Sequence, residues 1–137
     1  MARDTRTVTR SVTVAAPASE VWRLIGDFHR IDTWHPGVAK SERAIIGDDE
    51  FRVLTTKDGA RILEHLIWHG THGYTYAIVR SPLPVAHYES KLEVNTVGAG
   101  TEITWSGSFT PTADNAEEVT AGIYQAGLDA LKKTFGG

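Results

Sequence analysis

The sequence predicts an α+β domain in which an antiparallel sheet of short strands is followed by one long C-terminal helix. Three observations carry this prediction. Apolar residues recur with a period of two in the opening segment and again over HYESKLEV and TEITWSGSFT. Turn-forming clusters, IIGDDEF, TTKDGA, WHGTHG, RSPLPV and NTVGAGTE, punctuate the chain between Val38 and Thr110. After Pro111 the period changes from that of a strand to that of a helix.

The elements follow in order. TRTVTRSVTVAA sets Val8, Val12 and Val14 against Thr7, Thr9, Ser11 and Thr13, a strand with one wet face. In PASEVWRLIGDF, Pro17 suits a first helical turn, and Val21, Leu24, Ile25 and Phe28 take the spacing of a buried stripe. HRIDTWHPG reads as a second short helix closed by Pro36 and Gly37. From Val38 to Thr110 a meander of antiparallel strands follows. It places Tyr74, Tyr76 and Ile78 on one face, then Tyr88, Ser90, Leu92 and Val94, then Ile103, Trp105, Gly107 and Phe109. Asp114 with Glu117 matches a reciprocal cap, and Val119, Ile123, Gly127, Ala130 and Leu131 continue at helical spacing to about Phe135. No repeat or linker divides the chain, so residues 1–137 form a single expected domain.

Composition narrows the function classes. The 137 residues are 41% hydrophobic and 23% charged, as in a globular protein. No apolar run reaches the roughly 20 residues needed to cross a bilayer, and MARDTRTVTR lacks the apolar core of a signal peptide, so a cytoplasmic protein without membrane insertion is expected. The absence of cysteine removes disulfides, thiolate catalysis and sulfur-ligated metals. Fourteen Lys and Arg against 17 Asp and Glu give a charge of -3 with no basic block, which argues against nucleic acid. Phosphate loops, nucleophile elbows and Ser–His–Asp signatures are missing, so neither a nucleotide cofactor nor covalent catalysis is expected. The expected partner is a small hydrophobic molecule, bound by a monomer or a homodimer.

GARILEHLIWHG, residues 59–70, admits two readings. As a helix it would bring His65 and His69 onto one face with Glu64 beside them, a metal site with His72 nearby. As a strand it pairs with YTYAIV through the HGTHG turn, and residues four apart then lie roughly 13 Å from each other, too far to share a metal ion. The metalloprotease pattern also fails, because Leu66 stands where a Glu must follow the first His. The strand reading, with no metal, puts Ile62, Glu64, Leu66 and Trp68 on one face; the opposite parity would turn Glu64 to water. A carboxyl on an otherwise apolar face is costly unless paired, hydrogen-bonded or protonated, and such positions often serve function. Arg10 shares the parity of Val8 and Val12 and is a possible partner for Glu64 or for a ligand carboxylate.

The order of elements, together with APASEVWRLIGDF, Trp34-His35-Pro36, Glu64-His65-Leu66, SPLPV and WSGSFTP, resembles the START-like helix-grip superfamily (SRPBCC) over about Val8 to Phe135. The nearest branch is polyketide cyclase/dehydrase and lipid transport. The resemblance implies a seven-stranded curved sheet wrapped around the last helix, two short helices after the first strand, and a cavity for hydrophobic or aromatic ligands between sheet and helix. Carried over by position, Phe28, Trp34, Glu64, Trp68, Tyr76, Tyr88, Trp105 and Phe109 line or rim it, with Ile123 and Tyr124 contributed by the last helix.

His35, following an aromatic at the predicted mouth, is the best histidine candidate for ligand contact. Within this frame Glu64 is the candidate acid or base, and Tyr76 or Tyr88 could donate to a carbonyl and stabilise an enolate, the chemistry of a cofactor-free cyclase or dehydratase. The catalytic assignment is Glu64 and Tyr88. The alternative is a carrier or sensor of a lipid or metabolite with no turnover. No arginine in the sequence clearly matches the arginine that aromatic cyclases place near their cavity. Gly107, Gly122 and Gly127 either leave room for a ligand or let helix and sheet pack closely.

Overall fold

The computed structural model describes residues 4–137; residues 1–3, the start of the polar N-terminal stretch, lie outside the described residues. β1 (Arg6–Val14) leads into α1 (Ala18–Ile25) and a 3-10 helix (Phe28–Thr33). Then come β2 (Val38–Ile46), β3 (Asp49–Thr56), β4 (Arg61–His69), β5 (Gly73–Arg80), β6 (Val85–Val97), β7 (Gly100–Pro111) and α2 (Ala116–Phe135). The seven strands form one curved antiparallel sheet in the order β1-β7-β6-β5-β4-β3-β2.

Strands β2 to β7 pair with their sequence neighbours, as tight turns require. β1 instead joins the last strand, with Val8 opposite Gly107 and Val12 opposite Ile103. The two short helices therefore carry the chain from one edge of the sheet to the other, and α2 lies across β1 and β7.

The period-two segments behave as expected. Tyr88, Ser90, Leu92 and Val94 of β6 and Ile103, Trp105, Gly107 and Phe109 of β7 face the helix and are buried. Val21, Ile25 and Phe28 are buried beside them, with Leu24 at the margin. Burying such a stripe, rather than intrinsic helix propensity, stabilises a helix as short as α1. Pro17 takes the cap position instead of the first turn, and its carbonyl accepts from the N–H groups of Glu20 and Val21.

Four sequence expectations are corrected by packing. The reciprocal cap of α2 does not form: the helix begins at Ala116, no side chain caps it, and Glu117 is drawn 2.6 Å from the guanidinium of Arg6 on β1. Its buried stripe runs through Ala116, Thr120, Tyr124, Gly127, Leu128 and Leu131, leaving Val119 and Ile123 at the margin.

On β4, Ile62 and Glu64 face inward, but a bulge between Leu66 and Trp68 breaks the alternation. Trp68 therefore turns outward and is 52% exposed, with the Lys91 ammonium 5.8 Å from its ring. It is not part of any internal cavity wall. Arg10 is likewise exposed, its guanidinium donating to the neighbouring Thr9 carbonyl rather than reaching Glu64.

Candidate functional site

Between α2, the 3-10 helix and the inner face of the sheet lies an apolar pocket of about 100 Å³. Ile31 comes from the 3-10 helix, Val38 from the start of β2, Leu54 and Ile62 from β3 and β4, Ile78 from β5, and Ile123 from α2. Leu83, in the Ser81–Pro84 turn, completes the wall. Polar groups are few: His35, Arg52, Thr56, Glu64, Tyr76, Tyr88 and the indole edge of Trp105.

Arg52 and Glu64 form the pocket's ionic element. β3 and β4 are joined by a turn centred on Asp58, and reflection about it sets Arg52 directly opposite Glu64. The guanidinium is 0% exposed and the glutamate 5%. Nε donates to Glu64 Oε1 at 2.6 Å and Nη1 to the Phe28 carbonyl at 2.6 Å, while the guanidinium lies 4.0 Å from the Phe28 ring centroid and 5.0 Å from that of Tyr76. Two cation–π faces and two charge-assisted hydrogen bonds offset the cost of burying this charge. Burial works against the Arg52 cation, but Glu64, Tyr74 and Tyr76 outweigh it and keep the arginine protonated. Burial pushes the Glu64 carboxyl up, and Arg52 only partly pulls it back.

A second polar element sits beside the first. Trp105 Nε1 donates to Tyr76 Oη and Ser90 Oγ, both at 3.1 Å. Ser90 Oγ donates to the Ser106 carbonyl at 2.7 Å and lies 3.1 Å from Tyr124 Oη. Tyr124 and Tyr88 share a short hydroxyl–hydroxyl bond, and Tyr76 lies 3.4 Å from Tyr88. The β6 bulge between Ala86 and Glu89, with His87 at φ 53°, sets Tyr88 into this cluster and its ring against Phe109. Burial holds the hydroxyls of Tyr76 and Tyr88 far above the ordinary tyrosine value and pushes Tyr124 up to about 12, so all three remain protonated.

His35 is a clamp rather than a free ligand. Its Nε2 lies 2.8 Å from the Ile123 carbonyl and its Nδ1 accepts from the Gly37 N–H at 3.0 Å, which fixes the tautomer with the proton on Nε2. Burial, with a smaller contribution from Arg52, holds its pKa below the ordinary value despite the bond to Ile123. The unfolded chain therefore binds a proton near pH about 6.5 that the folded chain refuses. Stability from this site is complete above that pH and declines as the pH falls below it. Replacing His35 with Gln, whose amide can still donate to the carbonyl, should flatten the decline in urea midpoint between about pH 7 and pH 5.

The glycines make room for aromatic groups. A Cβ on Gly127 would lie 2.7 Å from His35 Cδ2, 2.9 Å from Trp105 Cζ3 and 3.0 Å from Trp34 Cζ3. One on Gly107 would collide with the Tyr124 hydroxyl. Gly122 is exposed and faces open space. The expected room for a ligand at these three positions is thus either filled by rings or outside the protein.

Of the residues expected at the site, His35, Glu64, Tyr76, Tyr88, Trp105 and Ile123 meet at the pocket. Phe28, Trp34, Phe109 and Tyr124 are buried one layer behind: Phe28 under Arg52, Trp34 against Trp105, Phe109 against Tyr88, and Tyr124 stacked on Trp105 with ring centroids 4.7 Å apart. They support the wall rather than form it. Trp68 is outside, as described above.

The sequence reading missed Arg52, although its reflection onto Glu64 about the TTKDGA turn was available in the sequence. The histidines of β4 and its turn are engaged separately. His69 reaches the Gly26 carbonyl at 2.6 Å, His65 stacks on Phe51 at 4.7 Å, and His72 contacts Thr71. Among the described residues no group of three or more His, Cys, Asp or Glu is placed to hold a metal ion, and no helix is long and apolar enough to cross a membrane.

Comparison with known proteins agrees with this fold. The family model described as polyketide cyclase / dehydrase and lipid transport matches residues 5–136. Among solved structures, the protein XoxI from Bacillus cereus is 33% identical, with 94% of each chain covered and a TM-score of 0.87. An uncharacterised Bacillus thuringiensis protein is 34% identical over 95% of this chain and 98% of its own, also at 0.87. The Zhui aromatase/cyclase of a Streptomyces species, 21% identical over 95% and 93% with a TM-score of 0.76, shares the fold. No curated protein matches the sequence.

Proposed function

The chain belongs to the polyketide cyclase / dehydrase and lipid transport family, and from that premise we propose that it binds a hydrophobic or aromatic small molecule in the pocket between α2 and the sheet. The observation that carries this reading is the contrast within the wall: aliphatic side chains from six elements surround one buried carboxyl that is only half engaged. Apolar burial supplies affinity in such a site and the few polar groups supply orientation.

Turnover is the second reading, favoured by the raised carboxyl of Glu64 beside Tyr76 and Tyr88. A carboxyl lifted towards neutrality can take a proton from a carbon acid and return it to a leaving hydroxyl, the two halves of a cyclisation followed by dehydration. Tyr88, kept protonated and tied to Tyr124, contributes as an orienting part of the wall, not as a base.

Titration with aromatic compounds and fatty acids, followed by quenching of the buried Trp105, tests binding. Ile123→Trp at the helix side of the pocket should weaken every true pocket ligand at least about tenfold while leaving the cooperative unfolding transition in place. Unchanged affinity in this variant would refute the pocket as the binding site. Product formation that Glu64→Gln abolishes would establish turnover; binding without product would establish a carrier.

A further inference from the structure

The pocket's size and its hydrogen-bonding sense restrict the ligand more narrowly than the family does. An apolar cavity of about 150 Å³ accepts a benzene-sized ring, so this pocket, at about 100 Å³, admits at most one such ring, seated towards its mouth, and no fused second one. The surrounding aromatic layer has little space to recede towards α2, because Trp34, Trp105 and His35 already fill the place a side chain would take at Gly127.

Proton accounting then gives the polarity of the free group. Ser90 gives its one proton to the Ser106 carbonyl, so Tyr124 must donate to Ser90, Tyr88 to Tyr124, and Tyr76 to Tyr88. That is the one direction in which every hydroxyl proton of the cluster finds an acceptor within it. The Trp105 N–H is shared between Tyr76 and Ser90. Both nitrogens of His35 are engaged, and Thr56 donates to Asp58 while accepting from the Ala60 N–H. Arg52 uses Nε and Nη1 on protein oxygens; its unpartnered Nη2 is buried among the rings of Phe28, Tyr74 and Tyr76. Apart from this Nη2, which meets ring faces and no oxygen, the donors at the pocket are spoken for. One acceptor is not: Arg52 occupies Oε1 of Glu64, and among the described residues nothing donates to Oε2.

We infer that this protein selects single-ring molecules bearing a hydroxyl or amine donor, with the ring in the aliphatic pocket and the donor on Glu64 Oε2. This rests on the proposed binding function and narrows it. A carbonyl-rich, multi-ring ligand fits neither the space nor the free lone pair.

The test is a matched panel measured by ligand-observed NMR and thermal shift on the intact protein: phenol, aniline, anisole, toluene, acetophenone, a naphthol and an anthrol, with a medium-chain fatty acid as an apolar control. Phenol and aniline should bind about tenfold more tightly than anisole or toluene, the scale of one buried hydrogen bond, and the naphthol and anthrol should be weaker than phenol. In Glu64→Gln the amide oxygen should turn to Arg52 and present its NH2 to the pocket, so the preference should reverse in favour of acetophenone. An anthrol binding as well as phenol would overturn the size limit, and equal affinity for phenol and anisole would overturn the donor requirement. Binding of the fatty acid alone would reject this inference while leaving a pocket ligand in place; binding of nothing in the panel would reject both readings. The wild-type panel decides these points even if Glu64→Gln fails to fold.

Discussion

Arg52→Leu should destabilise the fold by about 3–5 kcal/mol, the cost of leaving a buried charge without its partner. The guanidinium is fully buried, and its neutral replacement leaves Glu64 facing the Phe28 and Tyr76 rings with no cation beside it. The sign of the pH dependence follows. Burial already lifts Glu64, and removing Arg52 removes the force that pulls it back. A carboxyl raised in the folded state contributes stability that is complete below its unfolded value and is lost as the pH rises through its folded value. The variant should therefore be least impaired near pH about 4 and increasingly impaired towards neutrality, as read from urea unfolding at several pH values. Adding Glu64→Leu should recover much of the loss, because an apolar pair of similar volume replaces an ion pair at little net cost. A single variant as stable as the wild type at neutral pH would show that the pair does not hold β3 to β4 as described.

Trp105→Ala is expected to cost a similar amount, about 3–5 kcal/mol, through lost burial and the cavity left behind. Trp105 touches every layer of the site: its ring stacks on Tyr124, tilts against Trp34 at 5.7 Å and meets His35 edge-on, while its N–H binds Tyr76 and Ser90. Because this residue also forms part of the pocket wall, the new void should merge with the pocket. The variant should then accept indole or a naphthol and regain melting temperature in proportion to ligand concentration, as binding to the folded state alone requires. Loss of stability without any ligand rescue would separate Trp105's packing role from the pocket.

The two predictions rest on parts of the site that were unequally legible in the sequence. Glu64, Tyr76, Tyr88 and Trp105 could be placed because a strand's side chains alternate strictly, so one buried neighbour fixes the rest. Trp68 could not: the same rule ran across a bulge, and a bulge is set by how neighbouring strands pair rather than by local composition. Phe28, Trp34, Phe109 and Tyr124 were correctly read as inward, but inward does not distinguish a pocket wall from the layer supporting it. Arg52 shows the opposite limit. No local pattern singles it out, yet Glu64 lies as far beyond the turn as Arg52 lies before it, which pairs the two.

The amino-acid order by itself determined the element types, their sequence, the antiparallel meander and the inner face of β5, β6 and β7, because periodicity and turn chemistry are local properties. Tertiary structure alone decided that β1 joins β7, that Gly107 and Gly127 admit aromatic rings, and that hydroxyls from β5, β6 and α2 share protons around Trp105. These are contacts between residues far apart in the chain. The size of the pocket and the direction of its free lone pair depend on ångström-scale packing, which no local pattern encodes.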